Sequence, residues 1–149
     1  PPRSTLFPYT TLFRSGSSTT FCIPRLHIGY GAGCPGTGGR APVLVKSNDI
    51  TGGGSAYIAV GGGLSGSAAV YLVGLGRMSI PLPGGCTLLL TPAPLMPLAA
   101  GLDILGRHSL KAALPAGGAG SLFLQACVAD PVSALGLSAT NGVQLLVRP

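Results

Sequence analysis

No stretch of this chain runs more than ten residues without a glycine or a proline. Inside a helix, Gly costs about 1 kcal/mol relative to Ala and Pro about 3 kcal/mol. None of the short apolar segments between these breaks shows sustained helical periodicity with caps at its ends. Strands joined by turns tolerate such punctuation, because turns need the left-handed or preset backbone angles that Gly and Pro supply. Disorder is the competing outcome at this Gly and Pro content. Disordered chains, however, combine low hydrophobicity with high net charge, whereas this one is 46% hydrophobic and 8% charged. The expectation is an all-β domain of about seven to eight short strands.

The strands are read from apolar alternation between the breaks. Residues 42–45, 57–60 and 68–75 form the first three, and the third is apolar on both faces, as suits a central position. Residues 77–85, with Pro81, Pro83 and the Gly84-Gly85 pair, read as a turn-rich crossover before a fourth strand at 86–90. Residues 98–104 suggest a short edge strand. In 109–114, Leu110, Ala112 and Leu114 face inward while Ser109 and Lys111 face water. Residues 121–128 carry the strongest signal: Leu122, Leu124, Ala126 and Val128 on one face, Phe123, Gln125 and Cys127 on the other. Asp130-Pro131 ends that strand, Asn141-Gly142 signals a turn, and 143–147 closes the domain. Strands this short cannot bury their apolar faces singly, so two packed sheets are expected.

The distribution of charge excludes several functions. Arg25, Arg40, Lys46, Arg77, Arg107, Lys111 and Arg148 are scattered, and the chain lacks Trp. Nucleic-acid binding calls for a clustered positive face, with aromatic platforms for single strands, so no nucleic-acid partner is expected. Residues 50–76 are uncharged over a length that could cross a bilayer, but nine of them are Gly, and two strands explain the segment better than a transmembrane helix. Pro92, Pro94 and Pro97 break the uncharged run that follows residue 87.

Residues 1–15, PPRSTLFPYTTLFRS, resemble one reading frame of a widely used short-read sequencing adapter at every position. The expectation is that 1–15 are non-native, that 16–29 are a linker, and that 30–149 are the β-sandwich domain. Without Arg3 and Arg14 the formal charge of +6 falls to +4.

Several spaced marks resemble a C-terminal domain that recurs in large secreted proteins of planctomycetes and similar bacteria. They are Tyr-Gly-Ala-Gly-Cys-Pro-Gly from Tyr30 to Gly36, Pro42, the strand ending in Gly74 and Gly76, and Pro-Leu-Pro-Gly-Gly-Cys from Pro81 to Cys86. Further along stand Asp103 and Gly106, the Phe-Leu-Gln-Ala from Phe123 to Ala126, Asp130-Pro131, and Ser138 with Asn141-Gly142. The resemblance implies an immunoglobulin-like β-sandwich at the end of a longer extracellular chain, without catalysis. It also implies a disulfide between Cys34 and Cys86, and hence an oxidising compartment. Four cysteines allow three full pairings, and the partners of Cys22 and Cys127 stay open. Cys127 departs from the pattern and reads as a small buried hydrophobe.

The remaining chemistry is sparse. Zinc spacing of the CxxC or HxxxH kind is missing. A formal GxGxxG at Gly31, Gly33 and Gly36 contains Pro35 and leads into Pro42, so it is a turn and not a dinucleotide cradle; no cofactor is expected. Gly63-Leu64-Ser65-Gly66-Ser67 lacks the final Gly and the α/β setting of a nucleophile elbow. The chain has no Glu. Asp49, Asp103 and Asp130, beside His27 and His108, are its acids and histidines. Asp103 with Gly106, Asp130, and Asn141 with Gly142 are read as turn organisers, and His108 as a surface residue. The expected function is therefore a non-catalytic structural or accessory module of a secreted or cell-surface protein, serving stability, anchoring or export, with upstream domains of the same parent chain as partners. The rival is a module contacting carbohydrate or another surface. It would use exposed aromatics, and among the tyrosines only Tyr30 would serve, since Tyr57 and Tyr71 are expected in the core.

Overall fold

The computed structural model describes residues 27–47, 49–51, 53–113 and 117–149. The segment 1–15, most of the expected linker, Cys22, Arg25, Leu114 and Pro115 lie outside the described residues. The described chain is all-β. Its strands are β1 (His27–Ile28), β2 (Val43–Lys46), β3 (Ile50–Thr51), β4 (Ser55–Gly61), β5 (Ala68–Gly74) and β6 (Arg77–Pro81). They continue with β7 (Thr87–Leu90), β8 (Leu95–Gly101), β9 (His108–Ala113), β10 (Gly120–Ala129), β11 (Leu137–Ala139) and β12 (Val143–Arg148). Twelve strands exceed the seven or eight expected because β1, β3 and β11, only two or three residues long, are too short to show alternation, and because β6 occupies the segment read as a crossover. Among the described residues, no helix is long and apolar enough to cross a membrane.

The strands form two main sheets. One has the order β1-β2-β4-β9 and the other β3-β12-β10-β5-β8, with β11 also paired to β10. Pairing is antiparallel throughout except for β3 with β12. The main core lies between the sheets. Leu44, Ala56, Ile58 and Val60 meet Ala69, Tyr71, Leu124, Ala126, Val128, Val143 and Leu145 there. β5 sits between β10 and β8, and β8 forms an edge.

Alternation explains why Tyr57, expected in the core, is 55% exposed. Successive strand residues face opposite sides, and in β4 the inward set is Ala56, Ile58 and Val60. Tyr57 therefore faces solvent, with Lys111 Nζ 5.9 Å from its ring centre.

Residues 77–85 are not a simple crossover. They hold β6, which pairs with β7 as a separate two-stranded ribbon, and a 3₁₀ turn at Pro83–Gly85. The prolines that argued for a turn close the strand and the return, and a two-stranded ribbon tolerates Pro81 where a central strand would not. The ribbon packs over the outer face of the larger sheet through contacts of β7 with β10 and β5. A second small core of Cys34, Cys86 and Ala139, with Leu82 and Cys127 against it, lies on that side. Both faces of β10 are consequently covered.

Candidate functional site

Asn141-Gly142 does not make a hairpin turn. β11 and β12 pair with the same side of β10, with Cys127 opposite Ala139 and Leu124 opposite Val143. Two residues of β10 thus face three residues of the other strand, which is a one-residue bulge. The bulge turns the Asn141 side chain across to the other sheet. Leu44 N–H donates to Asn141 Oδ1 at 2.9 Å, and Asn141 Nδ2 donates to the Leu44 carbonyl at 3.0 Å. One carboxamide thereby serves as the strand partner of Leu44 and ties the two sheets together. At Gly142 a Cβ would press on the Tyr30 ring at 2.6 Å, so only Gly lets the backbones of residues 30 and 142 exchange their hydrogen bonds of 2.7 and 2.8 Å.

Cys34 and Cys86 form a disulfide across 52 residues of sequence, and both are buried. Cys34 also pairs through its backbone with Ala139. The bond therefore joins three pieces: the opening segment, the β6–β7 ribbon and the rim of the larger sheet.

Gln125 works beside it and was not singled out from the sequence as a site. It is buried on β10, where its Oε1 accepts from Leu89 N–H at 2.9 Å. Its Nε2 donates to the carbonyls of Thr87 at 2.9 Å and Thr140 at 3.0 Å. The signal was a lone amide in an otherwise apolar strand. Cys127 is a free thiol whose pKa is raised by burial.

Asp103 and Gly106 shape the loop between β8 and β9. Asp103 Oδ1 accepts from the N–H groups of Leu105 and Arg107, both at 2.8 Å. These bonds, the Arg107 N–H foremost, hold its carboxyl below the usual carboxylate range. Gly106 has φ +68°, and a Cβ there would collide with the Gly63 carbonyl.

Asp130, 2% exposed, joins the end of β10 to the 3₁₀ turn at Thr37–Gly39. Its carboxylate accepts from the Thr37 hydroxyl at 2.7 Å, the Thr37 N–H and the Val132 N–H at 3.2 Å. The Thr37 hydroxyl is the largest influence lowering its pKa.

His108, read as a surface residue, is half-buried: its Nδ1 lies 2.9 Å from the Tyr71 hydroxyl. It starts β9 on the inward-facing register, which places it above Tyr71. Burial pushes the Tyr71 pKa up to about 12. Tyr30 is no free platform either. Its hydroxyl donates to the Leu89 carbonyl at 3.1 Å, its ring meets the edge of Phe123, and the Arg77 guanidinium lies 5.6 Å from its centre. Lys46, buried on β2, is ion-paired with Asp49.

Among the described residues, two shallow clefts have charged or polar side chains in their lining. One, of about 370 Å³, is lined by Tyr30, Lys46, Asp49, Arg77 and Gln144 among others. The other, of about 280 Å³, lies where the β4–β5, β8–β9 and β10–β11 loops meet the turn at Thr37–Gly39. Among the described residues, no group of three or more His, Cys, Asp or Glu side chains converges as a metal site would require.

No protein-family model matches the chain, and no curated protein matches it. Among solved structures it is similar to the PmoD soluble domain from Methylocystis sp., with a TM-score of 0.40 and 10% identity over 76% of this chain and 97% of that one. That likeness is too slight to carry an argument.

Proposed function

We propose that this chain is a non-catalytic structural or accessory module of a secreted or cell-surface protein, built as an immunoglobulin-like sandwich. The observation that carries the reading is what its polar side chains do. Asp103, Asp130, Asn141 and Gln125 each bind backbone groups of loops or strands remote from their own position or close a tight loop. Their chemistry is engaged in holding the fold. The Cys34–Cys86 bond supports an oxidising compartment. The resemblance to C-terminal domains of large planctomycete-type proteins supports upstream domains of the same parent chain as partners, and the same reading takes residues 1–15 as foreign.

The test is incubation of the oxidised chain with broad hydrolase substrates, together with limited proteolysis. A protease-resistant chain without turnover is expected. Substrate-specific turnover that disappears in Asp103→Asn or His108→Ala would overturn the reading.

A further inference from the structure

The smaller cleft holds an unusual pairing of groups. Ser138, on β11, is 1% exposed, yet its hydroxyl makes no hydrogen bond to another described residue. No fully enclosed side-chain polar atom of the described residues lacks a partner. The Ser138 hydroxyl must therefore keep a narrow opening, and the open space it lines is this cleft. Its partner therefore comes from the cleft side, as water or as a hydroxyl of whatever enters the cleft.

Arg40 lines the same cleft. The ion pairs among the described residues join Lys46 to Asp49 and Arg107 to Asp103, so the Arg40 guanidinium has no acid partner there. Asp130 lines the cleft too, held ionised by the Thr37 hydroxyl and N–H. One cation and one carboxylate leave the site with no net charge. Ser65 offers a hydroxyl that already donates to the Ile104 carbonyl and so is free to accept. Leu64 and Leu105 supply apolar surface beside these groups.

We infer that this cleft is a binding site for one neutral, hydroxyl-rich ring, such as a terminal pyranose of a saccharide. Hydroxyls both donate and accept, which suits a site that mixes the donor-only Arg40 with serine hydroxyls. The apolar leucines suit the C–H face of a sugar ring. Charge balance favours a neutral ring over an acidic one. A volume of about 280 Å³ sits just below the usual range for ligand pockets, which fits one ring and not a chain. The site also lies where several loops meet at one end of a rigid sandwich, the common setting for binding. This inference goes beyond the structural role and does not depend on it, since a module that bound nothing would still be held by its disulfide.

The experiment is NMR on the full chain with methyl glucoside, methyl galactoside and methyl mannoside at millimolar concentration, read by saturation transfer and amide shifts. Glucuronate is the charged comparison. The expected result is saturation transfer to at least one neutral glycoside, with shifts at Arg40, Ser65 and Ser138. Arg40→Ala should weaken binding about tenfold or more, the loss of a hydrogen bond from a charged donor. Ser138→Ala should weaken binding while leaving the melting temperature at or above that of the parent, because no internal bond is lost. Absence of transfer, shifts elsewhere, binding indifferent to both substitutions, or preference for glucuronate would each overturn the inference.

Discussion

At the scale of single residues, amides stand in for missing strand partners. Asn141 completes the two backbone groups of Leu44 from the opposite sheet. Asn141→Ala leaves both unpaired and should cost about 1–3 kcal/mol in urea unfolding. Asn141→Asp keeps the acceptor for the Leu44 N–H but loses the donor to its carbonyl, so it too should destabilise. The titrating groups give further tests. Tyr71 holds its proton up to about pH 12 because it is buried, whereas an unfolded tyrosine ionises near pH 10. Ionisation above pH 10 therefore favours the unfolded chain, and stability should fall between pH 10 and 12. Tyr71→Phe should remove much of that fall while costing about 1 kcal/mol at neutral pH through the lost His108 bond. Asp130 and Asp103 are shifted the other way. Their contribution is fully present above the unfolded carboxylate pKa near 4 and is lost as pH falls through the lower folded values. Acid titration of Asp130→Asn should show a shallower loss of stability below pH 4 than the parent.

At the scale of elements, Gly106→Ala should lower the melting temperature by several degrees, because a Cβ at φ +68° would strike the Gly63 carbonyl and shift the β8–β9 loop. The loop and its neighbours also mark what the sequence could convey. β10 and β9 were legible because their alternation runs over six or more residues, β5 because it is an unbroken apolar run between glycine-rich turns, and Asp130-Pro131 ends β10 at Ala129. β6 was not legible: Met78 and Ile80 are too few for a period, and the prolines beside them spoke for a turn. Asn141-Gly142 has the composition of a hairpin turn but sits in a bulge, since the strand before it is the three-residue β11. Tyr57 shows the same limit at the level of a face. Its alternation with Ala56 and Ile58 was visible, but the choice of inward face depends on β9 and the opposing sheet. The cleft of Arg40, Ser65 and Ser138 could not be read at all, because it joins four loops that are far apart in the chain.

At the scale of the whole molecule, the two main sheets are held by a large apolar core, whereas the β6–β7 ribbon rests on a small one. The Cys34–Cys86 bond fastens that ribbon covalently to the opening segment and, through the Cys34–Ala139 pairing, to β11, beside the hydrogen bonds of Tyr30 and Gln125 to β7. Removal of residues 1–15 should leave the melting temperature unchanged if that segment is foreign; scanning calorimetry of the two chains decides this. The disulfide closes the module on the outer face of the larger sheet, and urea unfolding of the oxidised and reduced chain measures how much stability it contributes. For a loop of 52 residues the chain-entropy estimate is about 4 kcal/mol. Reduction should lower the unfolding free energy by about that amount; a reduced chain as stable as the oxidised one would mean that the disulfide does not hold the module together.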